Sequence, residues 1–308
     1  YDWDREVTSC LPDYYKWTQW IFLKLLEKGL AYKKKAFVNW CPSCNTVLAN
    51  EQVVDGACER CDSEVDQKEL EQWFFRITEY AQRLLDDIGK LGEWPEKVRT
   101  MQKNWIGRSE GVNIDFPVDG TDRKITCFTT RVDTIYVFTY MVLSTEHPMI
   151  DDISGNTNKK EDILKFVQEV RKEARSERIQ ASGDKKGIFT GKYVINPVNG
   201  RRIPLWIADY VLMDYGTGAV MAVPAHDQRD LDFARKYGLS VEVVINDPER
   251  DISGEALTEA YVDDGIMTSS GRFDGQKNTE AMAGIADMME EKGIGKRAVH
   301  FKLRDWLI

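Results

Sequence analysis

The tightest constraint on this chain is the stretch CPSCNTVLANEQVVDGACERC, residues 41–61. It sets Cys41, Cys44, Cys58 and Cys61 in the spacing C-x2-C-x13-C-x2-C. Each close pair can present two thiolates to one ion from a tight knuckle, and the residues between form a hairpin that returns the second pair. Four sulfurs close a tetrahedral structural Zn2+ site and leave no position for water, which argues against a catalytic metal. A module this small cannot fold on apolar burial alone, so the ion would hold it together. The competing reading is a thiol redox pair, or a knuckle that has lost its metal. The other two cysteines, Cys10 and Cys127, are far apart and without an evident partner. That usage suits a reducing cytosol with one metal site rather than a disulfide scaffold.

The 308 residues can bury a full core and are expected to form two or more domains. A net charge of −9 argues against non-specific coating of nucleic acid. It leaves room for a local basic surface around Arg171, Lys172, Arg175, Arg178, Lys185, Lys186, Lys192, Arg201 and Arg202. The alternative is a solvated helix face with Glu173 and Glu177 interspersed. No apolar run reaches bilayer-spanning length, and YDWDREVTSC lacks the basic-then-apolar order of a signal peptide. A cytoplasmic protein without a membrane partner is expected. Both ends read as cut, the chain stopping on the apolar-rich HFKLRDWLI.

Hydrophobic spacing predicts a helix over 12–28, started by Pro12 and stopped by Gly29. It predicts a second helix at about 70–88, on Phe74, Ile77, Ala81, Leu84 and Ile88. WPEKV reads as a loop from which TMQKNWI leads onward. From Val112 short strand-like runs take over: VNIDFPV, KITCFTT, YVFTYMVL, GKYVINPV, IPLWIADYVLM, GAVMAVPA and VEVVI. Helices are expected among them at about 160–175, 228–237 and 279–292, the last capped by Asn278. The fold class is therefore mixed α/β and β-rich, with a barrel-like domain over about 108–297. The acidic segment 247–264 reads as loop-rich surface.

Few catalytic signatures survive inspection. GRSEG, Gly107 to Gly111, has the G-x-S-x-G pattern of a serine nucleophile elbow. The elbow needs a strand before it and a helix after, whereas VNIDFPV after it alternates like a strand. Three histidines, widely separated, do not make a catalytic metal cluster. Two polar segments remain. TTRVDT, Thr129 to Thr134, ends a strand with three hydroxyls, an arginine and an aspartate. GTGAVMAVPAHDQRD, Gly216 to Asp230, is a short buried strand running into a helix start. Asp230 in the first turn there either caps the helix and complements its dipole, or waits ionised for a ligand ammonium. Sequence spacing cannot show whether the two segments meet.

CFTTRVDTIYVFTYMVLSTEHP, GTGAVMAVPAHDQRD and FKLRDWLI resemble the bacterial-type leucyl-tRNA synthetase family. YDWDREVTSCLPDYYKWTQWIFLKLLEKGLAYKK, NWCPSC and MQKNWIGRSEG fit the same family, so the likeness runs through nearly the whole chain. It implies a flank of the class I catalytic domain over 1–36, a zinc-ribbon module over 37–70 and a connecting helix with return segment over 71–107. It further implies an editing (CP1) domain over 108–297, and the start of the return into the catalytic domain over 298–308. The HIGH-type and KMSKS-type signatures are absent from these residues, so aminoacylation is not expected of them.

The activity implied is post-transfer editing: hydrolysis of the aminoacyl ester of tRNA(Leu) charged with norvaline, isoleucine or methionine. The implied partners are that tRNA's 3′ end and the rest of the synthetase. Residue roles follow where the motifs match. Asp230 resembles the aspartate that pairs with the α-amino group. Thr129 and Thr130 resemble threonines that contact substrate and help place the water. Thr134 resembles the threonine that blocks the leucyl side chain. Arg131, Tyr215, Met221, His226, Asp227 and Arg229 resemble further pocket positions. Asp133 reads as a brace for the turn. Two departures stand out: the family usually has proline where Val132 stands, and commonly glycine near Val137. They support an alternative, a tRNA-binding zinc-ribbon module whose pocket has decayed. A third possibility is an interaction fragment, inactive outside the full enzyme.

Overall fold

The computed structural model describes the chain except for residues 1, 50, 51, 55, 156, 173–184, 214, 215, 250, 251, 253, 255 and 256. Part of the candidate basic surface, Arg175 and Arg178 included, lies outside the described residues. Two compact units are formed: Tyr1–Arg108 with Phe301–Ile308, and Ser109–His300.

In the first unit, helix α1 (Pro12–Glu27) carries proline at its start and gives way to Gly29 at φ +70°. The antiparallel ribbon of β1 (Ala31–Cys41) and β5 (Asp66–Phe75) runs in unbroken register from Ala31↔Phe75 to Trp40↔Asp66. β2 (Thr46–Leu48) pairs with the distal end of β1, and β3 (Val53–Val54) pairs with β4 (Ala57–Cys58). β15 (Trp306–Leu307) lies on the outer edge of β5.

The helix expected at 70–88 is corrected here. Residues up to Phe75 are strand, followed by a 3-10 turn (Ile77–Tyr80) and then α2 (Ala81–Asp87). Phe74 does match a helical period. Cross-strand pairing prevails because β1 needs a partner, and Phe74 stacks on Tyr32 at 5.7 Å while Phe22 meets Trp73 edge-on at 5.0 Å. The loop read at WPEKV is also corrected: α3 (Glu96–Ile106) begins inside it, directly after Pro95, and ends on Gly107 in the left-handed region.

The second unit is built on a four-stranded sheet. Its strands are β8 (Tyr140–Ser144), β9 (Gly187–Ile195), β10 (Arg202–Ala208) and β11 (Ala219–Ala222), in the order β11-β8-β10-β9. β8 and β10 are parallel and the other pairs antiparallel. The period-2 alternation of these strands sends side chains into two different cores. Met141, Leu143, Leu205, Ile207 and Met221 enter one, with Ile114, Phe116 and Ile125 from β6 (Arg108–Pro117) and β7 (Lys124–Thr129). Tyr140, Val142, Trp206, Ala208 and Ala222 enter the other, against Phe233 of α6 (Gln228–Tyr237). A sheet buried on both faces explains why GAVMAV and IPLWIA read as nearly continuous apolar runs.

α4 (Ile150–Gly155), α5 (Lys160–Lys172) and α7 (Asn278–Glu291) complete the helices among the described residues. Ile150, Ile153 and Ile163, with Ile285 and Met289 of α7, belong to the first core. β12 (Ile245–Asn246) pairs with β13 (Ile266–Met267), and β14 (Gly295–Phe301) adds an edge beside β6. The mixed α/β class stands, with helix and strand in similar amounts, and among the described residues none of the sheets closes on itself, so the domain expected to be barrel-like is built of open sheets. Ser109 lies within β6, so GRSEG is the polar start of a strand and not a nucleophile elbow.

Gly111 fixes how closely β6 and β7 approach. A Cβ there would lie 2.2 Å from the Thr129 carbonyl oxygen and 2.8 Å from the Phe128 ring. Gly111→Ala must therefore push the strands apart at the point where TTRVDT begins. The expected loss is about 2–3 kcal/mol, read by urea unfolding.

Candidate functional site

TTRVDT folds as a tight corner whose polar groups satisfy one another. Thr129 closes β7, and its hydroxyl oxygen accepts the Arg131 N–H at 3.0 Å. A 3-10 turn (Val132–Tyr136) follows. Thr134 is fully buried, and its hydroxyl donates to the Arg131 carbonyl at 2.8 Å. Asp133, also fully buried, takes the Arg131 guanidinium through Nε at 3.2 Å and Nη2 at 3.1 Å. It also accepts from Asn278 Nδ2 at 3.1 Å. Asn278, expected as a helix cap, is instead the first residue of α7 and ties Asp133 to the Gly265 N–H and Asp264.

Asp227 begins α6 as its N-cap, its carboxylate accepting the N–H groups of Arg229 at 2.9 Å and Asp230 at 3.4 Å. Its side chain also pairs with the Arg229 guanidinium at 3.1 Å. Capping is thus assigned to Asp227, and Asp230 is free of it. The Asp230 carboxylate turns inward, 3% of the residue exposed, and accepts from Tyr210 Oη at 3.0 Å and from the Val223 N–H at 2.9 Å. Burial raises its pKa to about 7, reinforced by the nearby Asp227 charge and opposed by the Val223 and Tyr210 donors and by Arg229.

The two segments converge. β11 packs against β7, and the Thr139 N–H reaches the Ala222 carbonyl at 3.2 Å. His226 feels the charges of both Arg131 and Asp133. Its ring is committed to the backbone: Nδ1 donates to the Tyr261 carbonyl at 2.9 Å, and Nε2 accepts the N–H groups of Val244 and Ile245 at 3.2 and 3.3 Å. Burial lowers its pKa. Met221 lies in the first core at 5% exposure, and Tyr215 lies outside the described residues. Thr129 is half-buried and Thr130 exposed. Val132 opens a 3-10 turn, a position that suits proline equally well, and fills the core at 4% exposure. Val137 has φ −127°, which any side chain adopts. Both departures from the family pattern fit the backbone without strain.

Sequence reasoning missed Tyr140 and Tyr210. Both read as ordinary core aromatics, and nothing in TYMVL or ADYVL marks a hydroxyl with a special partner.

In the first unit, the four cysteine sulfurs all lie within 4.8 Å of one another. Cys41 and Cys44 each stand 3.4 Å from Cys61, and Cys44 stands 4.0 Å from Cys58. Four thiolates at about 2.3 Å from one ion would be about 3.8 Å apart, so the set fits a metal ion. The two knuckles repeat one design: Asn45 after Cys44 and Asp62 after Cys61 take φ of +52° and +55°. Asn and Asp tolerate that region best after glycine. Ser63 holds the Cys61 thiol down to about 6, while hydrogen bonding with Cys61 pushes Cys44 up to about 12.

Comparison with known proteins agrees with this layout. Residues 1–114 match the class I tRNA synthetases of the I, L, M and V group. Residues 103–290 match the leucyl-tRNA synthetase editing domain, and the chain belongs to that family. It is 58% identical over 308 residues to the leucine–tRNA ligase of Thermosipho melanesiensis and 56% identical to that of Thermotoga petrophila. In each case all of this chain aligns with 37% of the relative's length. Among solved structures, the LeuRS–tRNA–LeuAMS ternary complex from Agrobacterium radiobacter K84 is similar at TM-score 0.76 and 37% identity. That match covers 100% of this chain and 35% of that one.

An aspartate whose folded pKa is raised costs nothing below the unfolded pKa, near 4. The cost grows as pH rises and is complete above the folded pKa, about 7. Asp230→Asn removes it: the amide oxygen keeps the Val223 N–H, and Tyr210 accepts from the amide. Its stability advantage over the wild type should grow by on the order of 2–3 kcal/mol between pH 5 and pH 8, read from urea unfolding. His226 protonation affects both proteins alike and cancels.

Proposed function

We propose that the Ser109–His300 unit hydrolyses the ester linking a non-cognate amino acid to tRNA(Leu), with norvaline, isoleucine or methionine as the class of residue removed. The observation that carries this reading is the buried Asp230 carboxylate, which among the described residues takes two donors, on a segment whose His226 feels the charges of Arg131 and Asp133 in the TTRVDT corner. A carboxylate can accept about four hydrogen bonds, so capacity remains for an ammonium. In a water-poor site that pairing is far stronger than in solvent.

An aminoacyl ester is already activated, so hydrolysis asks for orientation more than for a strong nucleophile. Asp230 anchors the α-amino group and so fixes the carbonyl carbon. Thr129 accepts the Arg131 N–H, which leaves its own proton free to donate to a water or to the developing oxyanion. Water adds to the carbonyl carbon, the ester C–O bond breaks, and the tRNA ribose leaves as a hydroxyl with the proton released by the water. Thr134 has its hydroxyl committed to Arg131, so it offers a ligand its shape, and a β-branched side chain is a stiff wall. Size exclusion of the correct leucyl group at a second site supplies discrimination that a first pocket cannot reach against smaller side chains. Arg131, Met221, His226 and Asp227 support the site as corner, core, latch and cap, and Arg229 pairs with the cap, while Tyr215 is assigned to the pocket by resemblance. The decayed-pocket alternative draws on Val132 and Val137, whose backbone is unstrained, and the release assay below decides between the two readings.

Added to tRNA(Leu) mischarged with norvaline, the 308-residue chain should release the amino acid. Asp230→Ala should reduce release at least a hundredfold while circular dichroism is retained. Thr134→Ala should instead release leucine from correctly charged tRNA. Full activity in the first variant, or continued rejection of leucine in the second, contradicts the assigned role.

The cysteine cluster is proposed to hold one structural Zn2+ through Cys41, Cys44, Cys58 and Cys61, supplying fold stability and no catalytic step. A strong chelator should extract one zinc per chain, read with a zinc-sensitive dye. Amide exchange should then quicken over 41–61, with Ser109–His300 still protected.

A further inference from the structure

Asp230 is clamped by two tyrosines, one on β8 and one just beyond its neighbour β10. Tyr210, in the loop that follows β10, donates to Oδ1 at 3.0 Å. Tyr140, at the start of β8, donates to the Asp230 main-chain carbonyl at 2.9 Å. The two hydroxyls are 3.3 Å apart. Val223, directly after β11, completes the set with its N–H on Oδ2. The strand order β11-β8-β10 thus delivers three donors to one residue, and Ala222↔Tyr140 registry holds two of them level. Both rings lie against Phe233, one turn along α6, at 5.3 and 5.5 Å between centroids. Asp209 pins the loop beside Tyr210, exchanging bonds with the Lys186 main chain at 3.0 Å each way. Neither hydroxyl has freedom to serve solvent: Tyr210 is 9% and Tyr140 0% exposed.

The two tyrosines do different chemistry. Tyr140 holds the helix through its backbone, and its bond is the same whether Asp230 is protonated or not. Tyr210 bonds the carboxylate itself and favours the anion. The charged groups bearing on Asp230 besides these are Asp227, which opposes ionisation, and Arg229, which aids it.

We infer that Tyr210 is a positioning residue for ester hydrolysis: it orients the Asp230 carboxylate and sets the pH above which that carboxylate is an anion able to hold the substrate's ammonium. This rests on the editing reading. The pH profile should therefore have a rising limb set by Asp230 and a falling limb set by loss of the substrate's own ammonium proton.

The test compares the wild-type chain with Tyr210→Phe and Tyr140→Phe, both of which keep the ring. Two readouts are taken: carboxyl-carbon NMR titration of Asp230 without substrate, and release of norvaline from tRNA(Leu) from about pH 5.5 to 8.5, corrected for spontaneous hydrolysis. Tyr210→Phe should move the titration and the rising limb up by about one pH unit, a rate loss of about tenfold on that limb. The falling limb should stay in place. Tyr140→Phe should lower the unfolding midpoint and leave the titration where it was. An unchanged titration in Tyr210→Phe overturns the inference. A titration that shifts in Tyr210→Phe, together with a wild-type chain that releases no amino acid, supports the Tyr210–Asp230 coupling and overturns the editing reading.

Discussion

A buried carboxylate has to be compensated by donors, and in the Ser109–His300 unit the compensation of Asp230 organises the surrounding elements. Its two donors come from the Val223 main chain and the Tyr210 hydroxyl, and its own carbonyl is held by Tyr140. These groups reach one point because β11, β8 and β10 are neighbours in a sheet buried on both faces. The helix that carries Asp230 is started by a different residue, Asp227. Separating the two duties leaves the Asp230 side chain available, at the cost of a carboxyl group whose ionisation the fold resists. A site that binds a cation benefits from that resistance, because the incoming charge relieves it.

The second polar cluster is handled in the opposite way. In TTRVDT every strong charge finds its counterpart within the corner: Arg131 on Asp133, Asp133 on Asn278, Thr134 on the Arg131 carbonyl. The result is a rigid surface on which the Thr129 hydroxyl, accepting from the Arg131 N–H, and the exposed Thr130 hydroxyl keep a proton to give. For the proposed hydrolysis, rigidity here and retained capacity at Asp230 would be complementary, since steric discrimination needs a fixed wall and ammonium capture needs an unsaturated acceptor.

Much of this was legible in the sequence, for identifiable reasons. The cysteine spacing defines a four-sulfur cluster because knuckle geometry is local. Strand positions were readable in VNIDFPV and KITCFTT because alternation is strict where one core face is buried. The segment 70–75 is ambiguous in the sequence because its apolar spacing satisfies a helical period, and only pairing with the distant β1 resolves the conflict. The α3 start inside WPEKV is hidden in the sequence because a proline is equally at home in a loop and immediately before a helix, where Pro95 stands. At the site, the Asp and Thr residues announced themselves by their polarity. The partners that give Asp230 its character did not, since a tyrosine on a strand reads as core until its hydroxyl is placed. Val132 and Val137 looked disruptive in the sequence because family habit favours proline and glycine there, whereas the backbone at each accepts valine.

The most direct test of the account is the contribution of the α-amino group to binding. A non-hydrolysable adenosine carrying norvaline in amide linkage would be compared, by calorimetry at about pH 7.5, with the same compound lacking the amino group. If Asp230 anchors an ammonium in a water-poor site, removing that group should weaken binding by at least about tenfold, and the difference should vanish in Asp230→Ala. Equal affinity for the two compounds in the wild-type chain would contradict it.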